Sequence, residues 1–328
     1  MKIFRAAALG GTEISMSKGK VVAVVGPTAS GKTALAISIA ERFGGEVVSC
    51  DSMQIYKHMD IGTAKPTAEE QHKIPHHMID IAEPWESYSV ATFVKTARAH
   101  IDGILSRGRL PVLAGGTGLY IDSIINNIEF ADYGSDEGYR AELHRLAEEK
   151  GAEYVHGLLA EKDPAAAEKI HQNNLRRVIR ALEICRLSGK TFTEMNEMSR
   201  REPVYDALIF GLNADRQTLY DRINNRVDDM IAAGLENEVK NILDMGVGRD
   251  TTAMQAIGYK EFIDYFEGRA TLDETVEKIK QESRRYAKRQ LTWFKRNPDI
   301  HWLMLQDCYS LNKIYQQCFT TIEKFGII

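Results

Sequence analysis

One short segment restricts the folds open to this chain. Residues 26–33 read Gly26-Pro27-Thr28-Ala29-Ser30-Gly31-Lys32-Thr33, the G-x-x-x-x-G-K-[ST] spacing of a loop that cradles phosphate. Its flanks agree with that reading. Before it runs Val21-Val22-Ala23-Val24-Val25, a β-branched stretch suited to a buried parallel strand. After it runs Ala34-Leu35-Ala36-Ile37-Ser38-Ile39-Ala40, a helix former with apolar periodicity. In a strand–loop–helix unit of this kind, successive backbone N–H groups point into one concavity. The helix N-terminus adds its positive dipole end. Lys32 supplies a mobile charge and the Thr33 hydroxyl can hold Mg²⁺. The loop therefore binds a di- or triphosphate, ATP among them. It specifies neither the rest of the ligand nor its fate.

The rest of the pattern extends this unit into an α/β fold. Short apolar runs at residues 46–50, 77–81, 110–114 and 208–212 read as further core strands. Helical patterns separate most of them, notably over residues 89–107. Alternating strands and helices give a parallel sheet flanked by helices, here a P-loop NTPase-like core. Ligands in such folds bind beyond the carboxyl ends of the strands. That rule singles out the loops at residues 26–33, 51–56 and 115–120. Composition shifts near residue 128. Over residues 136–197, Leu143, Leu146, Leu158, Leu159, Ile170, Leu175, Val178, Ile179 and Leu182 recur at helical spacing, with no strand pattern. The expected division is a frayed, functionless tail over residues 1–17 and a first core part over 18–128. An all-helical insertion over 129–202 and a second core part over 203–328 follow. After the strand near residue 210, a long helical tail is expected from Arg216 onward.

Composition narrows the function. The 328 residues are 44% hydrophobic and 27% charged, as in an ordinary globular enzyme. No apolar run approaches the roughly 20 residues that span a bilayer, so no membrane partner is expected. Cys50, Cys185, Cys308 and Cys318 show no zinc spacing and require no disulfide, which suits the cytoplasm. The net charge of −4 gives no global attraction to nucleic acid. Any RNA surface must be a local basic patch.

Several segments carry candidate chemistry. Asp51 opens the run Asp51-Ser52-Met53-Gln54-Ile55-Tyr56 at the end of a core strand, facing the same crevice as the phosphate loop. Its carboxylate could manage Mg²⁺, act as a general base or cap a helix. Gly115-Gly116-Thr117-Gly118-Leu119-Tyr120 allows close backbone approach to a ligand, or is a plain strand-to-helix turn. In the insertion, Arg176 and Arg180 share one helix face, suited either to phosphate contacts or to ion pairs. Arg222 and Arg226 lie a turn apart on a later helix, either one in reach of a bound anion. Residues 278–296 carry Lys278, Lys280, Arg284, Arg285, Lys288, Arg289, Lys295 and Arg296 against Glu282, with Tyr286, Trp293 and Phe294 between them. A basic helix with aromatics fits a nucleic-acid backbone.

Together these residues resemble the bacterial tRNA dimethylallyltransferases, also called tRNA isopentenylpyrophosphate transferases. The matching segments are the phosphate loop, Asp51-Ser52 through Gln54 and Tyr56, and Met59-Asp60-Ile61-Gly62-Thr63-Ala64-Lys65-Pro66. Further matches are the Gly115 run, Arg177-Val178 with Arg180-Ala181-Leu182-Glu183, Gly258-Tyr259-Lys260, and Lys288-Arg289-Gln290-Leu291-Thr292-Trp293-Phe294. They stand in family order. The resemblance implies transfer of a dimethylallyl group from dimethylallyl diphosphate to the N6 amino group of the adenosine immediately 3′ to the anticodon. The tRNAs are those reading codons that begin with U. It implies Asp51, Thr28, Lys32 and Arg226 as catalytic residues. Gly26, Pro27, Thr28, Ala29, Ser30, Gly31, Lys32 and Thr33 would hold the diphosphate, with Mg²⁺ at Thr33. Asp51, Ser52, Met53, Gln54, Thr117, Arg140, Arg176, Arg177, Val178, Ile179 and Arg180 would contact tRNA, at its anticodon stem-loop. A monomer is expected. Some bacterial members have Gln at the position of Arg176. Two other readings fit the loop alone. A small-molecule kinase would leave the basic helices unexplained. An RNA-binding ATPase would need a carboxylate pair where the strand at 110–114 instead ends in Gly115-Gly116.

Overall fold

A computed structural model of the chain describes residues 18–130, 134–305 and 311–327. The tail expected over residues 1–17 and Cys308 lie outside the described residues. The first part of the core runs β1 (Gly19–Val25), α1 (Lys32–Phe43), β2 (Glu46–Ser49), α2 (Ala68–Lys73), β3 (His76–His77), α3 (Val90–Ser106), β4 (Pro111–Gly115) and α4 (Gly118–Ile125). Five helices follow: α5 (Glu137–Lys150), α6 (Ala152–Lys162), α7 (Pro164–Lys169), α8 (Leu175–Ser188) and α9 (Phe192–Met198). The chain then returns through β5 (Tyr205–Ala214), α10 (Arg216–Ala232), α11 (Leu235–Asp244), α12 (Phe262–Phe266), α13 (Leu272–Phe294), β6 (Ile300–Leu305) and α14 (Leu311–Lys324).

The six strands form one parallel sheet in the order β3-β2-β4-β1-β5-β6. β1 is central, and residues Val21 to Val25 are fully buried. Its side chains alternate between two cores, as a period of two requires. Val21, Ala23 and Val25 pack with α3 and α11 residues such as Phe93, Ile101 and Val239. Val22 and Val24 pack on the other face with Leu35 and Ile39 of α1 and Cys318 of α14. Burial of each such aliphatic side chain favours the fold by about 1.5–3 kcal/mol.

Two sequence expectations need correction. The run at 77–81 is a strand only over His76–His77, because Met78 and Asp80 turn to positive φ (65° and 55°) and leave the ladder. The tail after Arg216 is not all helix, since β6 pairs with β5 as an edge strand. Its partial burial, with His301 and Met304 exposed among buried Ile300, Leu303 and Leu305, breaks the continuous apolar run that marks the inner strands.

The helices α5–α9 hold their own apolar cluster, in which Leu143, Leu159, Ile170, Val178, Ile179 and Leu182 are buried. They join the core through a narrow neck. There Ile128 bridges Arg200 in antiparallel fashion, and the Glu129 N–H donates to the Ser199 carbonyl at 2.8 Å.

Candidate active site

β2, β4 and β1 are neighbours in the sheet, so the loops that leave their carboxyl ends share one rim. The phosphate loop wraps tightly there. Gly26 has φ 146°, and a Cβ on it would come within 2.5 Å of the Leu212 carbonyl oxygen of β5. Ala29 sits at φ 61°, a conformation that a non-glycine residue rarely adopts. Gly31 caps α1 in the left-handed conformation with no side-chain cap, which leaves the first helical N–H groups for an anion. Lys32 is half-buried, and its ammonium donates to the Pro27 carbonyl at 2.7 Å. Burial, and then the nearby Arg226 guanidinium, push the Lys32 pKa down to about 7, while Asp51 acts in the opposite direction.

Asp51 lies two residues past the end of β2, where Oδ1 accepts the Met53 N–H at 2.9 Å. Arg226 reaches the same place from α10. Burial lowers its pKa and Asp51 raises it, so cation and carboxylate are electrostatic neighbours. Between them opens a cavity of about 290 Å³. Thr28, Asp51, Ser52, Arg226, Tyr286 and Arg289 supply polar lining. Ile223, Val227, Met230, Ala256, Ile257 and Ile279 supply apolar lining. Arg222 does not line it, which separates the two arginines that the sequence left equivalent.

The glycines after β4 serve packing, in place of the ligand approach open to them from sequence. A Cβ on Gly115 would come within 2.2 Å of the Cys50 carbonyl oxygen. On Gly118 it would meet the Trp293 ring at 2.2 Å. Thr117 ties this loop to the one that carries Asp51: its Oγ1 accepts the Ser52 N–H at 3.1 Å. The Met59–Pro66 motif is likewise structural in large part. One carboxylate, Glu238 of α11, accepts the N–H groups of Asp60, Ile61 and Gly62 at 2.8, 2.8 and 3.0 Å, and the Tyr259 hydroxyl at 2.6 Å. Lys65 donates to the Tyr56 carbonyl, Asp60 and Asp80. Gly62 and Thr63 thereby reach the cavity wall. Gln54 turns away from it. Its Oε1 accepts from Ser49 Oγ and its Nε2 donates to the carbonyls of Thr63 and Ala64. Tyr259 and Gln290 stand inside matching segments and Glu238 outside them, but the sequence marks none of them as a site residue, since a polar residue inside a helix or turn does not show in sequence which distant groups it bonds.

The basic elements divide into charges held by polar partners and charges left on the surface, where Arg289 and Arg296 lie over the Tyr286 and Trp293 rings. Glu183 of α8 is fully buried. Burial opposes its charge, but Arg140, the Asp136 N–H and Arg180 hydrogen-bond to it and hold the carboxyl below its usual range. Arg140 and Arg180 thus have a structural task. Arg176 and Arg177 are exposed. Val178 and Ile179, expected at the tRNA face, are 0% and 3% exposed inside the helical cluster, so their side chains are shut off from any RNA. On α13, Lys280 pairs with Asp228 and Glu277, Arg284 donates to Asn224, and Arg285 pairs with Glu282. Lys278, Lys288, Arg289, Lys295 and Arg296 remain exposed. Phe294 is buried, and the Trp293 indole N–H donates to Asp122 at 2.7 Å, so these aromatics anchor the helix.

Among the described residues, no group of three or more His, Cys, Asp and Glu side chains could hold a metal. The Thr33 hydroxyl at the start of α1 suits the one-ligand share of an ion that arrives with a phosphate. No helix of the described residues is long and apolar enough to cross a membrane.

Comparison with known proteins identifies the family. A family model described as IPP transferase matches residues 54–297, and one described as isopentenyl transferase matches residues 19–81. A tRNA dimethylallyltransferase from Geobacillus thermodenitrificans is 53% identical over 288 residues, covering 88% of this chain and 91% of that one. The crystal structure of a tRNA isopentenylpyrophosphate transferase from Bacillus halodurans is 47% identical with a TM-score of 0.71, covering 94% and 96% of the two chains. A eukaryotic dimethylallyltransferase crystallised in the course of acting on tRNA is 30% identical with a TM-score of 0.79, covering 94% of this chain and 79% of that one. A family model over most of the chain, and relatives this similar along nearly all of it, mean that the chain belongs to the IPP transferase family.

Proposed function

We propose that the chain transfers the dimethylallyl group of dimethylallyl diphosphate to the N6 amino group of the adenosine immediately 3′ to the anticodon, releasing pyrophosphate. The acceptors are tRNAs that read codons beginning with U. The observation that carries this reading is a cavity whose lining is both polar and apolar. Thr28 of the phosphate loop, Asp51 and Arg226 line it together with the aliphatic side chains of Ile223, Val227, Met230 and Ile279. A short branched hydrocarbon on a diphosphate matches that mixture.

The chemistry follows from where charge grows. The amine lone pair forms the new N–C bond as the allylic C–O bond breaks, and the electron pair leaves on the diphosphate. Backbone N–H groups of the loop, Thr28, Lys32 and Arg226 face that growing charge. They stabilise the transition state more than the ground state, and one such donor is worth about 10²–10³ in rate. Asp51 takes the proton that the amine loses. Mg²⁺ held through Thr33 would add charge neutralisation to the leaving group. Exposed Arg176 and Arg177 and the outer face of α13 supply phosphate contacts, so that the insertion over residues 129–202 grips the anticodon stem while the core receives a flipped adenine. Action as a monomer is part of this reading. A tRNA acceptor supports a reaction in the cytoplasm.

The test is incubation of the chain with labelled dimethylallyl diphosphate and unmodified tRNA, with and without ATP. Label entering tRNA without ATP is the expected result. A requirement for ATP, or no label in tRNA under either condition, would return the kinase and ATPase readings.

A further inference from the structure

We infer that Gln290, on α13, is a positioning residue that sets the spacing between the diphosphate cradle and Asp51. Its side chain is buried, and both ends of the amide are used. Oε1 accepts the Thr28 N–H of the phosphate loop at 2.9 Å, and Nε2 donates to the Gly116 carbonyl at 3.0 Å. One planar group thus joins the loop after β1 to the loop after β4. The second loop is joined in turn to the one after β2. The Thr117 N–H donates to the Cys50 carbonyl at 3.3 Å, and the Ser52 N–H donates to Thr117 Oγ1 at 3.1 Å. Asp51 lies between those two anchors. A chain of hydrogen bonds therefore runs from Thr28 through Gln290 to the backbone on both sides of Asp51.

The fit leaves little slack. A Cβ on Gly116 would come within 2.1 Å of Gln290 Nε2, so the bare glycine is what lets the amide reach the carbonyl. One turn on, Trp293 fixes the same helix to Asp122. The site needs a side chain that accepts at one end and donates at the other. A carboxamide does this, and so does a protonated carboxylic acid. An apolar side chain of equal volume fills the space and holds neither loop.

This inference rests on the transfer reading above. In that reaction the leaving oxygen sits on the phosphate loop and the attacking amine at Asp51, with bond breaking and bond making along one line. A misplacement of about 1 Å in such a geometry costs roughly 10²-fold in rate. The experiment compares dimethylallyl transfer to an anticodon stem-loop RNA by the full chain and its Gln290→Met and Gln290→Glu variants. Rates are taken over a range of pH, with a thermal melt of each protein. Gln290→Met is expected to lower kcat about tenfold to a hundredfold, with KM for the RNA little changed. Its rate relative to the unaltered chain should not vary with pH. Gln290→Glu should differ, because its protonated form accepts from Thr28 and donates to Gly116 while its ionised form has no proton to give. Its relative rate should therefore climb as pH falls.

A group that merely fills space gives a near-normal Met variant and flat ratios for both. A Met variant with near-normal kcat, or a Glu ratio that stays flat at low pH, overturns the inference. If the Met variant melts early, the Glu ratio measured below its own melting point decides. An unaltered chain that transfers no prenyl group refutes the transfer reading, and this inference with it.

Discussion

At the scale of single residues, Asp51 and Lys32 carry distinct burdens. Asp51 is expected to act only on the proton of the amine. Asp51→Ala should therefore lower the single-turnover rate by about 10²–10⁴ while RNA affinity stays near normal. A near-normal rate would remove it from the mechanism. Lys32 gives a pH signature instead. With its pKa pushed down to about 7, the empty loop holds mostly neutral amine at pH 8. A diphosphate favours the ammonium and raises that pKa again. Binding should thus take up close to one proton at pH 8 and very little at pH 6, with affinity rising as pH falls towards 7. Calorimetry of pyrophosphate binding in buffers of different ionisation enthalpy measures the uptake, and Lys32→Met should abolish the part that belongs to this side chain. Both residues were legible in the sequence, because motif and strand-end position name them. Gln290 was not, because its meaning lies in two backbone groups more than a hundred residues away in the chain.

At the scale of elements, the arginines of α8 separate by what they touch. Arg177 is exposed, so Arg177→Ala should leave the melting temperature unchanged and flatten the plot of log RNA affinity against log salt by somewhat under one unit. Arg180 shares buried Glu183 with Arg140. Arg180→Ala should also cost about 1–2 kcal/mol of stability, because a buried carboxylate loses one of its partners. Thermal melts beside salt titrations of binding check both. Equal melting of the two variants would show that Arg180 does no structural work. The periodicity of α8 revealed its inner stripe of Val178, Ile179 and Leu182. It could not reveal which outward arginine bends back to a buried acid, since Glu183 reads as an ordinary surface residue until its surroundings are known. The same gap explains β6, whose pattern is that of an edge strand, and Gly116 and Gly118, whose neighbours come from α13.

For the whole molecule, the neck decides what can be removed. The two crossings lie side by side, with the Glu129 N–H 2.8 Å from the Ser199 carbonyl. A short glycine linker in place of residues 131–198 should therefore leave a core that melts cooperatively and still binds pyrophosphate, while RNA affinity and prenyl transfer are lost. Loss of pyrophosphate binding in that shortened chain would mean that the insertion shapes the cradle as well. The neck also orders events during synthesis. β1 pairs with both β4 and β5, and β5 leaves the ribosome roughly 10–40 s after β1 at ordinary elongation rates. The helices α5–α9 emerge within that interval with a complete apolar cluster of their own. The guest can thus finish folding before its host, and a nascent chain halted ahead of Tyr205 should contain a protease-resistant helical body beside a sheet still missing two strands.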